Sequence, residues 1–136
     1  MSAYAVGIDL GGTNLKAALV HRDDGIVETT RRPTEAQKGL EHVVASMATL
    51  SRHLIDSAPD GTVAGIGIGS PGAINLERTT VSRPPNLPGW DRVNLCEALQ
   101  SRLGDVPVVV ENDANVAGLG SAFFGAGTDY DSFIMV

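Results

Sequence analysis

Residues near the start of this chain have types and spacing that suit phosphate chemistry. Asp9 ends an apolar run and is followed by Gly11, Gly12 and Thr13. Glycines lack a Cβ, so their backbone can take positive φ and bring N–H groups close to an anion, and the threonine hydroxyl adds a donor. Asp9 is itself an anion, so it fits beside phosphate only with a divalent cation such as Mg²⁺ between them. An ordinary glycine hairpin would have the same Gly-Gly-Thr sequence, so this motif alone leaves both interpretations open.

A second polar cluster, Glu111-Asn-Asp-Ala-Asn115, follows the apolar run at residues 107–110. Polar side chains at the end of a buried strand are costly unless each has a partner. In α/β sheets, ligands bind at the carboxyl ends of the strands. The cluster is therefore a second candidate site, although Asp113 and Asn115 could instead only cap the helix predicted at residues 116–124.

Two other nucleotide motifs are excluded by the sequence. No Gly-x-x-x-x-Gly-Lys-Ser/Thr loop occurs in the chain. The glycines after Asp9 lead into a second strand, whereas a dinucleotide-binding fingerprint would open a helix.

The elements that must position these clusters follow from hydrophobic periodicity. Residues 4–10, 15–21 and 26–31 predict an antiparallel meander of three strands. In residues 35–57 apolar side chains recur at spacings of three and four residues, which predicts a long amphipathic helix. His42 and His53 lie off the apolar stripe, so we expect them to be solvated and not catalytic. Residues 63–70 predict a fourth strand with glycine at every second position, and 107–110 a strand buried on both faces of a parallel sheet.

The segment between those strands predicts a short β-excursion at residues 73–82 and a proline-rich loop at 83–90. That loop is either a binding wall carrying Asn86 or a connection whose Trp90 plugs the core. A helix is predicted at residues 93–103, with Asn94 as a possible cap and Cys96 as a small packing residue.

Composition limits the class of protein. The chain has 136 residues, 43% of them hydrophobic, which suits one soluble globular domain. Its net charge of −6 argues against nucleic acid or an anionic membrane as a partner. A single cysteine, no signal peptide and no apolar run of the roughly 20 residues that span a bilayer predict a cytoplasmic protein.

Four motifs give the chain a resemblance to a known family. In order along the chain they are Asp-Leu-Gly-Gly-Thr13, Gly-Ile-Gly-Ile-Gly-Ser-Pro-Gly72, Pro-Asn-Leu-Pro-Gly-Trp90 and Glu-Asn-Asp-Ala-Asn115. It resembles the ROK family of bacterial sugar kinases and repressors, most closely the glucokinase-like branch. The resemblance implies an α/β, ribonuclease H-like lobe of the actin, Hsp70 and hexokinase type. Its sheet would have five strands, mixed, in the order 3-2-1-4-5 with flanking helices, and residues 1–136 would form the N-terminal lobe of a two-lobed protein.

The resemblance also implies roles for individual residues. Asp9 would lie near magnesium and contact it through water, and Asp113 would be the catalytic base. The remaining positions carried over are Gly11, Gly12, Thr13 and Asn14 in the first phosphate loop, Asn112 as a ligand of a sugar hydroxyl, and Gly72, Ala73 and Asn86 at the border of the sugar. The sequence departs from the family at two places. This chain has Asn14 where family members frequently have lysine, and Gly120-Ser121 where they often have a glutamate. The departure at Asn14 would alter phosphate contacts without removing them, and the departure at Gly120-Ser121 would affect local helix packing.

The implied activity is ATP- and magnesium-dependent phosphorylation of a hexose, with Asp113 taking a proton from the sugar 6-hydroxyl. The alternatives are a sugar-sensing repressor, a fructokinase or N-acetylmannosamine kinase, or a regulatory lobe without chemistry. The family's second phosphate loop, adenosine pocket and structural zinc site would all belong to a second lobe. Because the chain lacks that second lobe, we expect it to be inactive alone. We also expect it to form homo-oligomers through exposed apolar surface, which would include residues 132–136.

Overall fold

A computed structural model describes residues 3–112. Its main sheet contains β1 (Tyr4–Leu10), β2 (Asn14–His21), β3 (Gly25–Pro33), β4 (Ile66–Ser70) and β8 (Val108–Asn112). A small sheet contains β5 (Ala73–Ile74), β6 (Thr80–Ser82) and β7 (Arg92–Asn94). The helices are α1 (Leu40–Ser57) and α2 (Leu95–Leu103), and a short 3₁₀ turn spans Ala36–Lys38.

The main sheet has the predicted topology. β1 pairs antiparallel with β2, and β2 antiparallel with β3, with a bulge between Leu19 and Val20. β4 is parallel to β1 on one side and to β8 on the other. The order β3-β2-β1-β4-β8 is the expected 3-2-1-4-5, since β8 is the fifth strand of this sheet along the chain. The expected α/β fold is therefore confirmed.

The helix predicted at residues 35–57 is shorter than expected. Glu35 and Gly39 have φ of 54° and 98°, outside the α-helical region, so the first residues form a 3₁₀ turn and α1 begins at Leu40. The apolar stripe itself was predicted correctly, because Val43, Met47 and Leu54 are fully buried in the core.

The predictions about residues 73–112 were correct in part. The β-excursion forms as β5 and β6, but β7, whose last residues were assigned to a helix, was missed. Asn94 does cap α2, since its Oδ1 accepts from the Glu97 N–H at 2.9 Å. β8 continues to Asn112 and is buried on both faces only in part, because Val109 is partly exposed.

The proline-rich loop combines the two interpretations that the sequence left open. Trp90 is 5% exposed and Leu87 2% exposed, so both side chains belong to the core. Asn86 is exposed on the same loop, with a left-handed φ of 65°. The tryptophan therefore plugs the core, and the asparagine remains accessible.

Within residues 3–112, neither helix has the length and apolar character needed to cross a membrane. Several predictions fall outside the described residues. They concern the helix at 116–124, the apolar segment at 132–136, Asn115 and the proposed base Asp113.

Candidate functional site

One edge of the main sheet collects polar residues from three parallel strands. The register of β1, β4 and β8 aligns Asp9 with Gly69, Gly69 with Glu111, and Ser70 with Asn112. Neighbouring strands are about 4.8 Å apart, so the strand positions of Asp9 and Glu111 are separated by roughly 10 Å. The two polar clusters found in the sequence therefore lie on the same edge, at the carboxyl ends of the strands.

The loop between β1 and β2 is held from behind and leaves N–H groups uncommitted. The Gly11 N–H donates to the Asn14 carbonyl oxygen at 3.1 Å, which closes the loop. Thr34 is fully buried and supports it, because its hydroxyl donates to the Gly11 carbonyl at 2.6 Å and its N–H to the Thr13 carbonyl at 2.9 Å. Within residues 3–112, no acceptor binds the backbone N–H groups of Gly12 or Thr13. Uncommitted backbone donors of this kind form anion-binding concavities.

The two loop glycines are required for space and not for positive φ. Neither has a left-handed φ, in contrast to the freedom that the sequence suggested they would use. A Cβ on Gly11 would lie 2.7 Å from the Asn14 carbonyl oxygen, and a Cβ on Gly12 would lie 2.7 Å from the Asn86 Cβ. The glycines therefore let the loop close tightly and let the proline-rich loop approach it.

Asp9 is a partly buried carboxylate at the end of β1. Burial raises its pKa above the ordinary value, and the charge of Lys16, which pairs with it across β1 and β2, partly opposes that rise. No group within the described part of the chain donates a hydrogen bond to Asp9. The carboxylate therefore has ligand capacity to offer a cation.

A cleft of about 480 Å³ separates β5 and the loop after it from the end of β8. Three of the expected sugar-binding residues, Gly72, Ala73 and Asn112, line it. Asn112 Nδ2 donates to the Gly72 carbonyl oxygen at 2.8 Å, which joins β8 to the turn that leaves β4. Asn86, the fourth of them that the structure describes, is not among the residues that line this cleft and lies against Gly12. The fifth, Asp113, lies outside the described residues. The structure thus places Asn86 at the loop between β1 and β2.

Sequence reasoning missed four residues at these two places. Lys16 was predictable, since a hairpin that pairs Leu10 with Leu15 also pairs Asp9 with Lys16. Thr34, Arg78 and the role of Glu111 gave no local signal, because each acts on a residue distant in sequence.

The remaining candidate nucleophile and bases have structural roles. The Cys96 thiol is buried, donates to the Val108 carbonyl at 3.0 Å, and has its pKa raised to about 11 by burial. His42 and His53 contact Glu35 and Glu28 at 3.0 and 2.8 Å on the surface of α1. Among residues 3–112, no three His, Cys, Asp or Glu side chains come close enough to hold a metal by themselves.

Comparison with known proteins agrees with this architecture. The chain is 39% identical over 130 residues to a glucokinase of Thermotoga maritima, covering 95% of this chain and 39% of that protein. It is 30% identical to the xylose repressor of Bacillus subtilis over 99% of this chain and 35% of the repressor. A ROK family glucokinase from Streptomyces griseus, solved with glucose and AMPPNP, superposes with a TM-score of 0.71 at 34% identity, over 91% of this chain and 38% of that one.

The chain thus spans well under half the length of these relatives. The model of the ROK family matches residues 5–136, which is nearly the whole of this chain. By that match and by its fold, the chain belongs to the ROK family.

Proposed function

We propose that this chain is the N-terminal lobe of a longer, ATP-dependent hexose kinase of the glucokinase type. The observation that carries the proposal is the shared sheet edge. A loop with free N–H donors and a carboxylate lies at one side of this edge, and a polar cleft lies at the other. The short share of each relative that the chain covers supports its assignment to one lobe.

The loop at residues 11–14 would receive phosphate. The Gly12 and Thr13 N–H groups and the Thr13 hydroxyl are donors, and Thr13 is exposed. Asn14 adds a neutral amide beside them. These groups are suited to stabilise charge on a transferring phosphoryl group, which needs positioning and charge neutralisation more than covalent help.

Asp9 fits a role beside magnesium. It lacks a donor among the described residues and lies at the start of the phosphate loop. Mg²⁺ prefers few protein carboxylates and keeps several waters, so one aspartate together with the substrate phosphates is a sufficient donor set. When bound, the ion would offset phosphate charge, and Asp9 would fix its location through water.

The cleft beside Asn112 would hold the sugar. Its volume is within the range of small-molecule sites, and it presents amide and main-chain polar groups at one end. The Asn112 amide already has its Nδ2 committed to Gly72, which fixes the orientation of the side chain. Asn112 is therefore held at the cleft, where we assign it as a ligand of a sugar hydroxyl.

Asp113 directly follows Asn112 and is our candidate for the general base, on the strength of the sequence motif. It would take the proton from the sugar 6-hydroxyl as that oxygen attacks the γ-phosphorus and ADP leaves. Glucose is the hexose that we favour, because two glucokinases are 39% and 35% identical to this chain over the part they share.

A sugar-sensing repressor is the second candidate, favoured by the similarity to the xylose repressor. The two functions share a sugar site and differ in turnover. A repressor would bind sugar without releasing ADP from ATP, and it would bind DNA.

An ADP-release assay on the protein in its full reading frame, across glucose, fructose, mannose and N-acetylmannosamine, tests the proposal. We expect glucose-dependent release with a kcat of about 1–100 s⁻¹. Sugar binding without ADP release, together with specific DNA binding, would favour the repressor and contradict the kinase.

A further inference from the structure

We infer that Arg78 and Glu111 form a positioning pair that fixes the shape of the sugar cleft and so sets affinity for the hexose. This inference rests on the proposed function, because it assigns the cleft to the sugar. Arg78 lies outside the four motifs, and Glu111, which begins the second polar cluster, was given no role there as a ligand. The two side chains contact each other.

The contact itself is close and partly shielded from water. Arg78 Nε lies 2.9 Å from Glu111 Oε1. The Glu111 side chain is 12% exposed, whereas that of Arg78 is 46% exposed. A carboxylate with so little exposure has lost much of its hydration, and it needs a charged partner more than a surface carboxylate does. The pair therefore differs from the exposed ion pairs, which contribute little.

The pair also completes an attachment between two elements that enclose the cleft. The Arg78 carbonyl oxygen accepts from the Val110 N–H at 2.8 Å. At the other end of the cleft, Asn112 Nδ2 donates to the Gly72 carbonyl oxygen at 2.8 Å. The segment from Gly72 to Arg78, which contains β5, is thus fastened to β8 at both ends. The cleft lies between these two attachments, and Arg78 and Glu111 line it.

Backbone strain at Arg78 also supports a positioning role for the pair. Its φ is 60°, in the left-handed region that residues other than glycine seldom adopt. Such a conformation persists only where surrounding contacts determine it, and it is concentrated at functional sites. Here the contacts include the hydrogen bond from the Arg78 N–H to the Asn75 carbonyl at 3.1 Å, the Val110 hydrogen bond and the Glu111 ion pair. Removing the ion pair would let the strained loop relax away from β8 and widen the cleft.

The phosphate loop is held by different contacts. Thr34 supports the Gly11 and Thr13 carbonyls from β3's end of the sheet. Neither Arg78 nor Glu111 bonds to that loop in the part of the chain that the structure describes. Loss of the pair should therefore weaken binding of the sugar and leave binding of the nucleotide unchanged.

The test compares Arg78→Met, Glu111→Gln and the double variant with the parent, all in the full reading frame. Calorimetry measures the Kd for hexose, and the ADP-release assay gives the two KM values and kcat. We expect the Kd and KM for hexose to rise about tenfold in each single variant, with the KM for ATP changed less than about twofold. The Kd of the double variant for hexose should be no higher than the higher of the two single-variant values, because both substitutions remove the same interaction.

Two further variants make the result specific. Arg78→Lys retains a charge and should recover part of the affinity, to within about threefold of the parent. Arg102→Met is the matched control, since it breaks an arginine–glutamate contact of 3.1 Å, to Glu41, on the outer surface of the helices. Its Kd for hexose should equal that of the parent.

Unchanged hexose affinity in both single variants would overturn the inference. A parallel rise in the KM for ATP, with a lower Tm, would also overturn it, because the pair would then have only a general structural role. Because binding is measured separately from turnover, a parent that binds hexose without releasing ADP would contradict the kinase proposal and still test the pair. A parent that binds no hexose would contradict both.

Discussion

Gly12 and Asn86 are 74 positions apart in the sequence, yet a Cβ added to Gly12 would lie only 2.7 Å from the Cβ of Asn86. The phosphate loop and the proline-rich loop therefore meet without room for a methyl group. Asn86 reaches this position with a φ of 65°, which asparagine tolerates better than most residues. The proline-rich loop therefore packs directly against the phosphate loop.

Gly12→Ala should displace the proline-rich loop or the phosphate loop, because the clash is with a Cβ that its own backbone fixes. We expect the KM for ATP to rise about tenfold and the free energy of unfolding to fall by about 1–3 kcal/mol. Steady-state kinetics and urea unfolding measure the two effects. Asn86→Gly removes the opposing Cβ, so the double variant should recover most of both losses. No recovery would show that the two loops are independent.

Asp9→Asn should weaken the response to magnesium. The magnesium concentration for half-maximal activity should rise by at least about tenfold, while the KM for hexose changes less than about twofold. A magnesium titration that coincides with that of the parent would contradict the assignment of Asp9.

The same substitution has a predictable dependence on pH without magnesium. The folded-state pKa of Asp9 is raised, so the native protein binds this proton more tightly than the unfolded chain, and stability is lost as pH rises through that pKa. Asn mimics the protonated acid. Asp9→Asn should therefore have a higher Tm than the parent at neutral pH, and the difference should shrink on acidification through the raised pKa and vanish below the ordinary pKa of the unfolded chain. Lys16→Met should have the opposite effect, since it removes the charge that stabilises ionised Asp9.

Asp113→Ala should lower kcat by about 10²–10⁴ and change hexose affinity much less, as expected when a general base is removed. Single-turnover kinetics together with calorimetry separate these effects. Asn115→Ala is a suitable comparison, because it alters the same motif without removing a base. Near-normal turnover in Asp113→Ala would exclude this residue from the chemistry.

The sequence by itself determined the sheet and the two polar clusters at its edge. Strand periodicity is local, and alternating or continuous apolar runs identify strands such as β1 and β4 without knowledge of their neighbours. The position of Asp9 and Asn112 at strand ends follows from the same runs. The strand order and the roles of these residues came from the resemblance that the four motifs carry, and the fold agrees with it.

Only the tertiary structure decided which loops meet. The contact of Asn86 with Gly12 could not be predicted, because the path of a loop depends on what it packs against and not on its own sequence. Likewise, Gly11 and Gly12 are needed for close approach, a requirement that comes from Asn14 and Asn86 and cannot be distinguished locally from a need for positive φ. The Arg78–Glu111 contact joins residues 33 positions apart through a loop with no regular period. Local physics sets the strands, whereas contacts between distant residues set the shape of the site.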